Sequence, residues 1–345
     1  MKHLKSLAAL ALTAALFLTG CGQTKEPAAV TVDGVPFTQA EYEGMYLYAK
    51  NMMDMQLGMY GISAADFWGS SERYNEQIAE SAKQQLTLQA ILENKMKEYK
   101  LTLDETALDE RLASQDEQMG SAEHMDDLLG QMHLTREMYR RMLSVDIMVP
   151  QIVGHLTEAE AEAVRALFDE EFYRCKHVLI ADETDDPAKA ALAKEVAEKA
   201  KGGADFDELV KEYGEDPGMA QSPAGYVFTE GEMVEPFFEG TKALEVGGVS
   251  DPVQSGFGWH IIQRLPLGDE EFEANKDKVG QAYFGKLLND WVEAAEITLT
   301  PEAEAVTFEA LLPQEEEAPE TAPQDAPAEE APAEGEAAPE EATAE

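Results

Sequence analysis

The stretch SGFGWHIIQRL, Ser255 to Leu265, sets a histidine between a tryptophan and two isoleucines. Aromatic and β-branched residues dominate it, so it reads as a strand with His260 in the middle, where burial is expected. By itself, such a histidine is a core residue with one satisfied hydrogen bond. Whether it belongs to a site depends on the segments around it.

The texture of the chain changes at Phe172. Tyr173 to Ile180 (YRCKHVLI) reads as a strand that carries a second histidine, His177. Asp185-Asp-Pro187 caps an amphipathic helix over Ala188 to Lys201, and Gly202-Gly203 stops it. Asp205 opens a shorter helix to Tyr213. A loop with Pro217, Gly218 and Pro223 leads to a strand at Gly225 to Phe228. A helical segment surrounds Val234 to Leu244, and Val253 to Leu265 supplies the last strands. The order βααβαββ over about 95 residues suits one α+β domain.

Helical patterns flank this segment on both sides. Val30 to Phe37 reads as a strand with an Asp33-Gly34 turn. Thr38, with Glu41 three residues on, forms a capping box that opens a helix to about Leu57. Further helices are expected over Ser71–Tyr99, Asp104–Ser114, Ala122–Met132 and Thr135–Val149, with Pro150 ending the series. Thr157, boxed with Glu160, starts another that ends near Glu171. A helix over Glu271 to Ala295 and a strand-like Glu296 to Thr300 close the pattern. Met45, Met52, Met53, Met55 and Met59 fit ordinary core at helical spacing, or else an adaptable surface. Met125, Met132, Met138, Met142 and Met148 are scattered and read as packing between helices.

Composition excludes some functions. Lys and Arg total 26 against 69 Asp and Glu, a net charge of -43. Phosphate binding needs clustered cations, and beyond the first few residues there are none, so nucleic acid is excluded as a partner. Gln314 to Glu345 holds twelve acidic residues and no Lys or Arg. This Ala/Glu/Pro-rich tail, from Pro313, has too few aliphatic residues to offset chain entropy and reads as disordered. At the other end, a basic Met1–Lys5 precedes an apolar run from Leu7 to Leu18, broken only by Thr13. That is too short for a stable span and suits a signal peptide. Leu18-Thr19-Gly20-Cys21 resembles a bacterial lipoprotein box with Cys21 as the lipidated residue. Cys175, the other cysteine, then has no disulfide partner and reads as a small buried residue. There is no HExxH, CxxC, P-loop or Rossmann fingerprint, so neither metal nor cofactor is expected.

Four segments align with the opening one: KHVLI with His177, FDELVKEYGEDP ending in Asp216, FTEGEMVEPFFEG with Met233 and Phe237, and LEVGGVSDPVQSGFGWHII with Ser255 and His260. Together, over roughly Phe172 to Leu267, they resemble the parvulin family of peptidyl-prolyl cis-trans isomerases. With the leader and helical flanks, the whole chain resembles extracytoplasmic foldase lipoproteins of the PrsA type, and more distantly SurA chaperones. The resemblance implies an antiparallel four-stranded sheet inserted into a mostly helical chaperone-like domain. It implies His177 and His260 as facing catalytic histidines, with Asp216 and Ser255 fixing their orientation and donors directed at a twisted amide. Met233 and Phe237 would line the proline pocket, with Phe257 at its rim.

The resemblance also implies a layout: signal peptide 1–20, tether 21–29, helical region 30–171, isomerase 172–267, a completing helix 268–312 and a tail 313–345. The implied partners are unfolded exported chains bearing X-Pro bonds and a membrane reached through Cys21, on the outer face of the bacterial cytoplasmic membrane; a homodimer stays open. The alternative is a non-catalytic holdase on the same scaffold. That alternative draws on one departure. Parvulins carry a Gly-Asp-Leu-Gly-aromatic run where this chain has Ser222-Pro-Ala-Gly-Tyr226, and a missing leucine at Gly225 or Ala224 would leave one pocket wall open. The acidic Ala181 to Asp186 implies no preference for phosphorylated substrates.

Overall fold

The computed structural model describes residues 26–312. The leader, Cys21 and the acidic tail lie outside them. In chain order the elements are β1 (Ala28–Val32), β2 (Val35–Thr38), α1 (Gln39–Met59), α2 (Ala64–Trp68), α3 (Ser71–Glu98), α4 (Glu105–Gln118), α5 (Ala122–Gln131), α6 (Arg136–Ala159) and α7 (Ala161–Glu171). Then come β3 (Tyr173–Ala181), α8 (Pro187–Lys201), α9 (Phe206–Tyr213), α10 (Pro217–Gln221), β4 (Tyr226–Phe228), α11 (Glu235–Lys242), β5 (Val253–Ser255) and β6 (Gly258–Leu265). The chain ends with α12 (Asp269–Ala294), β7 (Ile297–Leu299), α13 (Pro301–Glu304) and α14 (Phe308–Leu311).

The predicted βααβαββ order is present, with the short α10 added. β3 to β6 form an antiparallel sheet in the order β4-β3-β6-β5. Alternation along the strands gives the sheet two faces. Val178, Ile180 and Ile261 pack under α8 and α9 with Ala193, Val196, Phe206 and Leu209. Cys175 and Ile262 face the other way, onto Phe228, Phe237 and Phe238.

The helical region closes on itself through the C-terminal segment. The β1–β2 hairpin turns at Asp33 and Gly34, both with positive φ as a two-residue hairpin turn requires. β7 adds antiparallel to β1, giving the order β2-β1-β7. The Thr38–Glu41 capping box forms as expected, with the Glu41 amide 3.2 Å from Thr38 Oγ1 and the Thr38 amide 2.7 Å from Glu41 Oε2. α12 packs against α6 through Phe284, Ile152, Val153 and Leu156, and against α7 through Val279, Phe272 and Phe168.

Two boundary expectations fail. Pro150 does not end a helix: α6 runs through it to Ala159. Proline removes the hydrogen bond to residue 146 and normally costs about 3 kcal/mol in a helix interior. Here Pro150 and Asp146 are both exposed, so water reaches the freed carbonyl, while Met148, Ile152 and Leu156 stay buried on the opposite side. Thr157 caps nothing. It is buried in α6, its hydroxyl donates to the Val153 carbonyl at 2.8 Å, and the break falls at Glu160.

The methionine-rich α1 divides. Met45 is buried, whereas Met55 and Met59 are 58% and 73% exposed, beside exposed Tyr60, Ile62 and Phe67. The later methionines follow the packing expectation: Met125 and Met148 are buried, and Met132, Met138 and Met142 pack partly against a core.

Candidate active site

Antiparallel pairing places His177 opposite Ile262 and Leu179 opposite His260. The two histidines are therefore diagonal neighbours on one face of adjacent strands, close enough for side chains to meet. Their Nδ1 atoms are 3.2 Å apart and the rings lie nearly parallel, 29° between planes. Both are 4% exposed. The ring of Phe237, from α11, stands perpendicular to both, with centroids 5.0 Å from His177 and 5.2 Å from His260.

Each outer nitrogen is also engaged. His177 Nε2 lies 2.8 Å from Asp216 Oδ2, and His260 Nε2 lies 2.7 Å from Ser255 Oγ. Asp216 caps α10, accepting from the Gly218 amide at 2.9 Å, and takes a second bond from the Tyr226 hydroxyl at 2.7 Å. Ser255, at the end of β5, accepts from the Phe257 amide at 3.1 Å.

Charge fixes the direction of this chain. Burial lowers the His177 pKa, with Asp216 opposing it, and burial together with the neighbouring His177 pushes His260 down to about 4. Both rings are neutral at pH 7. Burial would raise the Asp216 pKa, but hydrogen bonds from Tyr226, Gly218 and His177 hold it below the usual carboxylate range. A carboxylate only accepts, so His177 carries its proton on Nε2 and leaves Nδ1 bare. His260 must then donate from Nδ1 and accept at Nε2 from the Ser255 hydroxyl. All four ring nitrogens are committed inside the network, so the rings do not supply the free donors toward a twisted amide that the resemblance suggested.

The sequence-derived residues converge: His177, Asp216, Ser255 and His260 form one chain, with Phe237 beneath it. Met233 packs beside Phe237 and Phe228 at the same face. Phe257, 61% exposed, sits on the β5–β6 turn beside the network, and its carbonyl accepts from the Asp182 amide. Asp185 bonds Gln254, so the acidic loop borders the site and offers a phosphate no cation. Cys175 is buried on β3 with its thiol pushed up to about 12 by burial, unsuited to nucleophilic attack.

Of the two positions at which the leucine could fall, Gly225 has no room for one, while Ala224 is exposed and offers only a methyl group. Gly225 has φ +99°, and a Cβ there would lie 2.7 Å from the Cys175 carbonyl oxygen and 3.0 Å from Leu265 Cδ1. The position holds glycine because strand β3 and Leu265 crowd it, and no leucine fits. Two residues of this site escaped sequence reading: Tyr226, which reaches Asp216, and Phe228, 1% exposed beside Phe237. An alternating strand pattern over residues 226–228 was the available signal, but three residues are too few to tell which face is buried.

Among the described residues no cluster of His, Cys, Asp or Glu could hold a metal ion, and no helix is long and apolar enough to cross a membrane.

Residues 172–265 match the PPIC-type PPIase domain, and residues 1–153 match the SurA-like N-terminal domain. Foldase protein PrsA of Geobacillus kaustophilus is 32% identical over 225 residues, covering 60% of this chain and 71% of that protein. Foldase protein PrsA of Oceanobacillus iheyensis is 28% identical over 263 residues, covering 70% and 84%. A crystal structure of PrsA from Bacillus cereus aligns at 24% identity over 70% of this chain and 94% of that one, with a TM-score of 0.34. The chain belongs to the PrsA foldase family.

Proposed function

We propose that this protein is a peptidyl-prolyl cis-trans isomerase and foldase for exported proteins, with His177, Asp216, Ser255 and His260 as its catalytic network. One observation carries the reading: two buried neutral histidines, locked between a carboxylate and a hydroxyl, rest on Phe237 inside the segment that matches a PPIC-type PPIase.

Rotation about a peptide C–N bond costs about 18–20 kcal/mol because it breaks amide resonance. No bond is broken, so neither nucleophile nor cofactor is needed. The twisted amide has lost the charge separation of the planar form. An apolar, water-poor pocket therefore favours the twisted amide over the planar one. Met233 and Phe237 supply that pocket, with Phe257 at its rim. The histidine network acts as a rigid neutral wall whose hydrogen bonds are satisfied internally.

The helical region is the part that holds unfolded clients in this proposal. Its exposed Met52, Met55 and Met59 support that role, as does a cleft of about 810 Å³ with Met96, Leu101, Leu103 and Leu108 in its wall. Residues 172–267 form the isomerase domain, and 30–171 with 268–312 form the second domain. Cys21 carries a lipid that holds the protein on the outer face of the bacterial cytoplasmic membrane.

The test is cis-to-trans isomerisation of an X-Pro peptide by the intact chain beside Met233→Ala. The wild type accelerates the reaction, and the variant raises KM by opening the pocket. No acceleration by the wild type would leave only the holdase reading.

A further inference from the structure

The strand β4 carries a group that the catalytic network above does not include. Tyr226 pairs with Cys175 across β3, which puts it on the same sheet face as His177. Its hydroxyl donates to Asp216 Oδ2, the same oxygen that accepts from His177 Nε2. Its ring centroid is 5.9 Å from His177, so the imidazole has both the phenol and Phe237 as ring neighbours. The local chain is shaped for this reach. Gly225 abuts the Cys175 carbonyl with positive φ, and a side chain at Gly218 would strike the Tyr226 hydroxyl.

We propose that Tyr226 is a positioning residue of the isomerase site: through Asp216 it fixes which nitrogen of His177 bears the proton, and so the direction of the chain from Ser255 to Asp216. The inference rests on the isomerase reading above.

The reason lies in acceptor capacity. Asp216 offers two oxygens, and Gly218 occupies Oδ1. On Oδ2 the phenol occupies one acceptor direction and His177 the other. Asp216 is only partly buried, its side chain 20% exposed. Without the phenol, water takes the vacated direction, the carboxylate gains freedom to rotate, and His177 can release it. A released His177 can shift its proton to Nδ1. His260 must then turn its own proton toward Ser255, reversing the chain. Tyr226 closes that alternative by holding the same carboxylate oxygen that accepts from the histidine.

The test uses the intact chain with ¹⁵N-labelled histidine, comparing wild type with Tyr226→Phe. Phenylalanine keeps the ring and removes only the hydroxyl. Ring ¹⁵N shifts report the tautomer of each histidine, with His177 and His260 assigned by single replacement. The wild type shows one tautomer each, protonated at Nε2 in His177 and at Nδ1 in His260. Tyr226→Phe shows mixed tautomers for both, and kcat/KM falls about 10- to 100-fold, the loss expected for one hydrogen bond to a charged group. KM stays within about twofold, because the pocket walls are unchanged. Unmixed tautomers in Tyr226→Phe overturn the proposal whatever the rate does. If the rate is unchanged, the phenol only fills space. If it falls, the phenol acts on substrate. The spectra need no turnover, so an inactive wild type defeats the isomerase reading while the tautomers still decide the role of Tyr226.

Discussion

The four-stranded sheet and the helical region depart from ordinary burial in opposite directions. In the sheet, two polar rings are 4% exposed. In the helical region, Met55 and Met59 at the end of α1 are more than half exposed. Buried polar groups must be fully hydrogen-bonded, and satisfying them fixes their geometry. Exposed flexible apolar side chains fix nothing and can meet many surfaces. The first arrangement suits one small reacting unit, the X-Pro bond. The second suits chains of no fixed sequence.

The contrast breaks most sharply at His260. His260→Ala removes one ring of the wall and frees His177 and Phe237 to shift, and should lower kcat/KM for an X-Pro peptide on the order of 100-fold. Suppression of client aggregation should stay within about twofold. A loss of both would mean that the two regions do not act separately.

Gly225→Leu comes next, because the pocket-wall idea and the structure disagree about it. The structure predicts roughly 2–5 kcal/mol of destabilisation from strained backbone and the collision with Cys175, read by denaturant unfolding. A more active variant of normal stability would restore the open-wall account.

Gly280→Val probes the other region. Its Cβ would meet the Thr157 hydroxyl where α12 crosses α6. About 1–3 kcal/mol should be lost, with peptide isomerisation per folded molecule unchanged.

Acidity separates the regions more gently. Both histidine pKa values are lower folded than unfolded, so the unfolded chain binds more protons in the window between them. The stability from the neutral pair is complete above pH 6.5 and is lost as pH falls toward about 4. Unfolding midpoints across that range should fall in the wild type and fall less in His260→Ala.

The smallest effect should come from Met55→Lys: stability within about 0.5 kcal/mol, isomerisation unchanged, and a weaker hold on unfolded clients in aggregation assays.

How far the sequence revealed all this followed the same divide. His177, Asp216, Ser255 and His260 were legible because residue type and spacing both carry chemistry. Alternation in β3 and β6 then placed the two rings on one face. Tyr226 was hidden, since a strand of three residues has no readable period. The long helices were legible, but the short α2, α10, α13 and α14 were not, α4 runs four residues past its expected end, and two boundaries near α6 were misplaced. Local rules stop a helix at Pro150 and start one at Thr157. Packing of Met148, Ile152 and Leu156 carries α6 past both, and Thr157 spends its hydroxyl on its own helix. The split of the α1 methionines depends on where α2 and α3 cover it, a tertiary fact absent from helical spacing.

The most direct test is refolding of a model protein limited by one proline bond, with intact chain and with His260→Ala. The account predicts that the wild type accelerates the slow phase at substoichiometric concentration while the variant leaves it at the spontaneous rate, with equal final yields. Equal acceleration by both proteins, or a slow phase untouched by the wild type, would contradict the assignment of isomerisation to the histidine pair.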